Sequence, residues 1–84
     1  MPAPRRTVYI LESLVDPRRH YTGITSDLAA RLVTHNEGHC PQTVNSRPWR
    51  VLVAIEFASE HSAALFERYL KSGSGRVFTK RHFV

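Results

Sequence analysis

Two tyrosine tripeptides near the start of the chain restrict its fold more than any other feature. They are Thr7-Val8-Tyr9 and Tyr21-Thr22-Gly23, and eleven residues lie between them. Residues 6–13 alternate and are rich in Val, Tyr, Ile and Leu, which favours a β-strand, and residues 21–25 suit a second strand. Asp16-Pro17-Arg18-Arg19 is typical of a turn. The segment therefore predicts a β-hairpin with a long loop.

The length of the chain limits it to one small domain. The chain has 84 residues, and a chain of that size buries only about 60–65% of its unfolded surface. Its hydrophobic content of 42% and its eight aromatic residues indicate an ordered globular protein, since disordered chains lack the apolar residues that offset chain entropy. We expect a single domain over residues 1–84.

The cysteine content and the absence of long apolar runs predict where the protein resides. Cys40 is the only cysteine, so no intrachain disulfide can form, whereas small secreted domains usually carry several. No apolar run approaches the roughly 20 residues of a membrane span, and no hydrophobic signal segment follows residues 1–6. We expect a soluble protein of the bacterial cytoplasm. Cys40 and His35, His39 and His61 show no standard zinc-ligand spacing.

Downstream of the hairpin, the chain predicts a helix and then a long loop. Residues 27–37 suit a helix, because Ser26 or Asp27 can accept its first free N–H groups and Gly38 supplies a stop. Residues 39–50 contain Pro, Asn and Ser and predict a loop. A loop of that length in so small a domain is often functional.

The C-terminal half predicts one more strand and two more helices. Residues 51–57 form an apolar run that suits a third strand. Ser59 is suited to cap a second helix, which residues 72–75 should end. The inward-facing residues of this helix are expected to be Ala63, Phe66 and Leu70. Residues 76–83 suit a last short helix.

Positive charge is concentrated in the last quarter of the chain. The net charge is +5, and residues 68–84 contain no Asp or Glu but five basic residues: Arg68, Lys71, Arg76, Lys80 and Arg81. Such a patch attracts polyanions, and phosphate neutralisation with counterion release dominates sequence-independent affinity for nucleic acids. The alternative is a solvated surface that keeps the protein soluble.

Several motifs together resemble the GIY-YIG nuclease family, and above all its short, single-domain bacterial members. The motifs are Val8-Tyr9-Ile10-Leu11, Tyr21-Thr22-Gly23, Arg31 with His35-Asn36 four residues on, and the segment 66–76. The resemblance implies an α+β fold in which helices flank a small three-stranded antiparallel sheet. The chain departs from the family motif at Thr7, Val8 and Thr22, and none of these departures removes a reacting group.

The resemblance also implies roles in phosphodiester hydrolysis, which needs a base, a cation and a metal. Arg31 and His35 project from one helix face, and the planar fork of Arg31 suits the scissile phosphate. Glu67 is the expected carboxylate ligand of a divalent metal, Mg²⁺ or Mn²⁺. Tyr9 and Tyr21 face the same side if the strand register allows. We favour Tyr9 as the general base and Tyr21 as the group that orients water and phosphate, with the reverse assignment open.

Further residues are candidates for contact with nucleic acid. Gly23 lets the backbone approach the substrate or pack under the first helix, Asn45 supplies an amide for a phosphate, and Trp49 supplies a ring for a base. The five basic residues from Arg68 to Arg81 are expected to meet phosphates. Each candidate also has a purely structural interpretation, for example Glu67 paired with Lys71 or Arg31 paired with Asp27.

These expectations define three classes of function. The first is a metal-dependent endonuclease that cuts DNA with little sequence specificity, in DNA repair or processing. The second is a non-catalytic module that binds nucleic acid, and the third is a subunit of a larger repair complex. The reacting groups that the motifs preserve favour the endonuclease. The sequence does not indicate the oligomeric state, or whether the substrate is single-stranded, branched or damaged DNA, or RNA.

Overall fold

The sheet is built around the hairpin that carries the two tyrosine tripeptides. The computed structural model describes residues 5–84, in the order β1 (Arg6–Ser13), β2 (His20–Thr25), α1 (Leu28–Asn36), a 3₁₀ helix (Val44–Ser46), β3 (Trp49–Phe57), α2 (Glu60–Leu70) and α3 (Gly73–His82). The strands are antiparallel in the order β2-β1-β3, so β1 is central. The predicted α+β fold with a three-stranded sheet flanked by helices is confirmed.

The register of the hairpin places both tyrosines on one face of the sheet. Tyr9 lies opposite Gly23, and Leu11 lies opposite Tyr21. Directly paired residues share a face, and so do residues two apart on one strand. The side chains of Tyr9 and Tyr21 therefore project from the same side of the sheet, on which Gly23 also lies. The register thus allows the predicted arrangement.

Each face of the sheet has its own apolar core. Val8 and Ile10 pack with Ala63 and Leu70 of α2. On the other face Tyr9, Leu11 and Trp49 form a second core. Leu28 and Leu32 of α1 pack against this second core. The sheet thus separates α1 from α2, and each strand buries alternate residues on alternate sides.

The predicted ends of the helices are found at α1 and α2. Asp27 caps α1, because its carboxylate accepts a hydrogen bond from the Ala30 N–H, and Ser59 caps α2 by accepting from the Ser62 N–H. Gly38 follows the end of α1 with a φ of 86°. This is the left-handed conformation that glycine adopts at low cost.

Two elements begin earlier than the sequence predicts. Strand β3 starts at Trp49 and not at residue 51, because Arg50 lies opposite Glu12 on β1 and forms an ion pair with it. Helix α3 starts at Gly73 and not at Arg76. Ser72 caps it by accepting a hydrogen bond from the Gly75 N–H. The glycine-rich segment is therefore a sharp helix-to-helix corner and not a loop.

Helices α1, α2 and α3 are all short. Within residues 5–84, no helix combines the length and the apolar character needed to cross a membrane. The bacterial cytoplasmic location stays a prediction.

We expect Gly75→Ala to destabilise the fold, because the corner between α2 and α3 leaves no room for a side chain. A Cβ at Gly75 would collide with the Tyr69 carbonyl oxygen, and overpacking of this kind costs about 1–3 kcal/mol or more when backbone must move. Gly73→Ala is the matched control, since no atom lies within 4 Å of the added carbon. Urea unfolding of both variants measures the difference. Equal stabilities would show that the corner relaxes freely.

Candidate active site

Three buried polar side chains form a hydrogen-bonded chain on the α1 face of the sheet. The Tyr9 hydroxyl lies 2.9 Å from His35 Nε2, and His35 Nδ1 lies 2.9 Å from Thr43 Oγ1. Tyr9 is 1% exposed, and His35 and Thr43 are fully buried. β1, α1 and the loop after α1 therefore meet at one imidazole. The sequence indicated Tyr9 and His35, but not Thr43.

The partners of Thr43 allow a tautomer of His35 that leaves Nε2 as an acceptor. The Thr43 hydroxyl lies 3.4 Å from the Cys40 carbonyl oxygen, which can only accept, and in this tautomer the hydroxyl hydrogen is directed there. The Thr43 oxygen then accepts from the Nδ1–H of His35. His35 Nε2 is left with its lone pair free to accept the Tyr9 hydroxyl hydrogen. The chain thus presents Tyr9 with a proton acceptor.

Burial keeps both Tyr9 and His35 neutral. Burial raises the pKa of Tyr9 above its ordinary value, and the nearby Arg31 guanidinium offsets part of that rise. Burial also lowers the pKa of His35, and the positive charge of Arg31 lowers it further. At pH 7 the pair is therefore a neutral phenol hydrogen-bonded to a neutral imidazole.

Arg31 lies on the same face of α1 as His35, one turn earlier, and close to Tyr9. Its pKa is raised, chiefly by contact with the Tyr9 hydroxyl. No hydrogen bond of ordinary geometry joins the two side chains, and Arg31 Nε is buried without a hydrogen-bond partner. Asp27 caps α1, and within residues 5–84 no carboxylate forms an ion pair with Arg31. The structure thus holds an uncompensated cation beside a buried phenol.

Gly23 makes room for the Tyr9 ring. A Cβ at Gly23 would lie 2.5 Å from the Tyr9 hydroxyl oxygen and 2.6 Å from Cζ. Gly23 is buried beneath that ring. Contact with Tyr9 is thus a structural reason for Gly23 that the sequence did not indicate, and its expected approach to the substrate or to the first helix stays a prediction.

Tyr21 is the more accessible of the two tyrosines. Its ring centroid lies 6.3 Å from that of Tyr9 and 4.9 Å from that of His35, so it belongs to the same cluster. It is partly buried, whereas Tyr9 is enclosed. Strand β2 is an edge strand, which leaves Tyr21 beside solvent.

The long loop after α1 is an ordered support for the site. Trp49 donates its Nε1–H to the Thr43 carbonyl oxygen at 2.8 Å. The Asn36 amide bonds to both the N–H and the carbonyl oxygen of Trp49, at 2.7 and 3.1 Å. These bonds fix the path of the loop and hence the Thr43 hydroxyl. Asn36 was part of the sequence motif, but its positioning role was not predicted.

The structure corrects the predicted role of Trp49. Its side chain is in the core, and the residue is 5% exposed, so the indole has no free face on which a base could stack. Asn45 lies in the 3₁₀ helix and is exposed, which leaves its amide free for contact with a phosphate.

Glu67 lies on α2, which packs against the opposite face of the sheet. Its side chain is 20% exposed and forms an ion pair of 2.8 Å with Lys71. Within residues 5–84, no hydrogen bond or ion pair joins Glu67 to Tyr9, Tyr21, Arg31 or His35. The structure therefore brings four of the five predicted catalytic residues together and leaves Glu67 outside that cluster. Helix α2 does contact β2, the strand that carries Tyr21.

Three of the five C-terminal basic residues line one groove beside β2. Arg18 and Tyr21 line this edge groove on the hairpin side, and Lys71, Arg76 and Lys80 line it on the helix side. The other two, Arg68 and Arg81, are exposed outside its lining. Tyr21 therefore belongs both to the edge groove and to the cluster around His35.

The described residues offer one candidate metal ligand. Residues 5–84 contain no group of three or more His, Cys, Asp and Glu side chains that could hold a metal ion. Glu67 has the hard oxygen donors that Mg²⁺ prefers. A Mg²⁺ site made of the Glu67 carboxylate, water and substrate oxygens fits this preference. It requires that the ion pair between Glu67 and Lys71 is broken first.

We expect the free energy of unfolding to fall as the pH is lowered below about 6.5, the ordinary pKa of histidine. In the folded protein the pKa of His35 is lower than that, so below this pH the unfolded chain binds a proton that the folded chain does not. Stability from this group is complete above about pH 6.5 and declines below it. Urea unfolding of the parent and of His35→Gln between pH 5 and 8 measures the slope.

The control for this experiment is His61→Gln, which changes an exposed histidine on α2. It should keep the pH dependence of the parent. If the slope above pH 5 survives in His35→Gln, the proton is taken up at another group and the buried histidine is not its source.

Comparison with known proteins identifies the family. A sequence model of the GIY-YIG catalytic domain matches residues 5–81. The structure-specific endonuclease subunit SLX1 of Candida dubliniensis is 38% identical over 71 residues, which covers 76% of this chain and 25% of that protein. The chain thus spans about a quarter of the length of this relative. Membership of the short bacterial branch stays a prediction. The chain belongs to the GIY-YIG family of nucleases.

Proposed function

We propose that the protein is a divalent-metal-dependent endonuclease that hydrolyses phosphodiester bonds of DNA with little sequence specificity, in DNA repair or processing. The observation that carries this proposal is the uncompensated Arg31 beside Tyr9 and His35. A partly buried cation without a counter-charge costs free energy unless an anion occupies its surroundings. A phosphate supplies that anion, and its oxygens suit the planar donor fork of Arg31, whose Nε has no hydrogen-bond partner within the described chain.

The hydrogen-bonded chain supports Tyr9 as the general base. A neutral phenol cannot take a proton, so its own proton must leave first. The Nε2 of His35, 2.9 Å away, accepts it, and the Tyr9 oxygen then takes a proton from the attacking water. Water forms the new bond to phosphorus as the bond to the 3′ oxygen breaks. Arg31 stabilises the charge that builds on the phosphoryl oxygens.

The enclosure of Tyr9 limits how water reaches it. Tyr9 is 1% exposed, so neighbouring side chains must move before water contacts its hydroxyl. Geometry without substrate does not exclude a catalytic base, because such contacts often tighten only in the complex. Tyr21, which is partly exposed at the edge strand, is placed to orient water and phosphate. The reverse assignment remains the alternative.

Glu67 would hold the metal ion from the other side of β2. When bound there, a divalent cation would neutralise charge on the phosphate and stabilise the departing oxygen. Lys71 now pairs with Glu67 at 2.8 Å and lines the edge groove. A phosphate in the groove would compete for Lys71 and free the carboxylate. Metal affinity in the absence of DNA should therefore be weak.

A subunit role in a repair complex is the second candidate. It is favoured by one relative, which is named as a subunit of a structure-specific endonuclease. The preserved cluster of Tyr9, Arg31 and His35 gives the chain the groups that it needs for chemistry of its own. A module that only binds nucleic acid is the remaining alternative, and in it the bonds from Tyr9 through His35 to Thr43 would serve the fold alone.

We expect the protein to cut DNA in Mg²⁺ or Mn²⁺ and to stop cutting when EDTA is added. We also expect the Glu67→Gln variant to lose most of its turnover. Loss of several kcal/mol of charge stabilisation corresponds to about 10²–10³-fold in rate. A panel of labelled duplex, single-strand, flap and junction DNA measures both effects. Glu60→Gln is the matched control, because Glu60 lies on the same helix and also forms an ion pair, with Arg6.

Two results would contradict the role of Glu67. Cutting that continues unchanged in EDTA would remove the metal from the mechanism. A Glu67→Gln protein that unfolds, while Glu60→Gln stays folded, would show that the carboxylate is structural.

Tyr9→Phe should slow the chemical step by about 10²–10⁴-fold, the usual contribution of general acid–base catalysis. It should also cost about 1–3 kcal/mol of stability, because His35 Nε2 is left buried without a donor. Tyr21→Phe should slow the step less and leave the stability nearly unchanged. Single-turnover rates on folded variants decide, since product release does not enter them. A larger loss of rate in Tyr21→Phe than in Tyr9→Phe would reverse the two roles. Single-turnover rates equal to that of the parent in both variants would exclude both hydroxyls from the chemical step.

A further inference from the structure

The edge groove is a concave feature of the described chain beside the Tyr9 cluster. It has a volume of about 750 Å³ and lies between the hairpin loop and the C-terminal helices. Its two walls are distant in sequence, because Arg18 and Tyr21 precede Lys71, Arg76 and Lys80 by 50 to 62 residues. The groove is therefore formed by the fold and not by one charged segment.

The groove is positively charged. Four Lys and Arg residues line it, and no Asp or Glu residue does. Arg18 forms an ion pair with Asp16, and Lys71 forms one with Glu67. Within the chain from residue 5 onward, Arg76 and Lys80 form no ion pair. These two residues are the free cations of the groove and attract a polyanion.

Apolar side chains lie between these cations. Pro17 and Val84 are exposed and line the groove, and Leu70 lies at its inner surface. In a duplex the base faces are stacked inside and cannot contact such a surface. A single strand exposes base faces and phosphates together, which matches a groove with both apolar and cationic linings.

We propose that the edge groove binds a single DNA strand that continues past Tyr21 into the Tyr9 cluster. Arg76 and Lys80 hold its phosphates, and bases lie against the apolar lining. Tyr21 lines the groove and also contacts His35, so a strand seated there is led across the edge of the sheet to Arg31. This inference deepens the proposed function, because it names the substrate form that the nuclease site receives.

Binding measured in EDTA tests the groove without cutting. The probes are a fluorescent ten-nucleotide oligothymidylate and a blunt duplex of equal length, titrated by anisotropy at several salt concentrations. We expect the strand to bind more tightly than the duplex. The double variant Arg76→Ala with Lys80→Ala should weaken strand binding by roughly tenfold or more. It should also reduce the salt slope by about 1.4, since each phosphate contact on a single strand contributes about 0.7.

The matched control is the double variant Arg5→Ala with Arg47→Ala, which removes the same charge from exposed residues outside the groove lining. It should leave strand binding within about twofold of the parent if the groove is the contact surface. Equal weakening by both double variants, or tighter binding of the duplex, would overturn the proposal. Strand binding without any cleavage in Mg²⁺ or Mn²⁺ would support the proposal that the groove binds a single strand and would overturn the proposed endonuclease activity. The failure of one proposal can therefore be told from the failure of the other.

Discussion

The hydrogen-bonded chain from Tyr9 through His35 to Thr43 is the interaction on which the rest of the site depends. Three polar side chains are buried together, and each would cost free energy without a partner. The three side chains satisfy one another only because β1, α1 and the loop after α1 meet at this point. Gly23 is necessary for this arrangement, because any side chain there would collide with the Tyr9 ring. The same bonds that stabilise the fold thus place a proton acceptor behind the phenol.

The edge position of β2 bears on how Glu67 could serve the reaction proposed for the other candidate residues. Tyr9, Arg31 and His35 lie on the α1 face, and Glu67 lies on α2, which packs against the opposite face. Strand β2 forms one edge of the sheet, and its Tyr21 lines the groove that Lys71 also lines. A substrate that crosses this edge would contact both sides.

The sequence predicted the fold well because its signals are local. The alternation of residues 6–13, the cap at Asp27 and the stop at Gly38 each depend on neighbours in the chain, and each prediction is confirmed. The motif also placed Tyr9, Tyr21, Arg31 and His35 together before the register was known. Thr43 could not be found in this way, because its contact with His35 depends on the path of an irregular loop.

The packing of Trp49 and Gly23 could not be predicted from the sequence, for one and the same reason. An aromatic residue in a loop-like segment suggests a free ring, but β3 begins at Trp49 and carries the ring into the core. A glycine in a strand suggests an approaching backbone, whereas the cross-strand partner here is the ring of Tyr9. Both roles are set by tertiary neighbours that sequence spacing does not specify.

Arg31 acts in opposite directions on the two groups that would exchange a proton if Tyr9 is the base, as proposed. Burial opposes charge on both Tyr9 and His35, which keeps the proton on the phenol at rest. The charge of Arg31 favours the phenolate but opposes the imidazolium, so by itself it gives little net drive for the transfer. A phosphate bound to Arg31 would offset both effects together and would leave that balance unchanged. The transfer would therefore depend on the direct attraction between phenolate and imidazolium at the Tyr9–His35 contact of 2.9 Å, which is stronger where water is excluded.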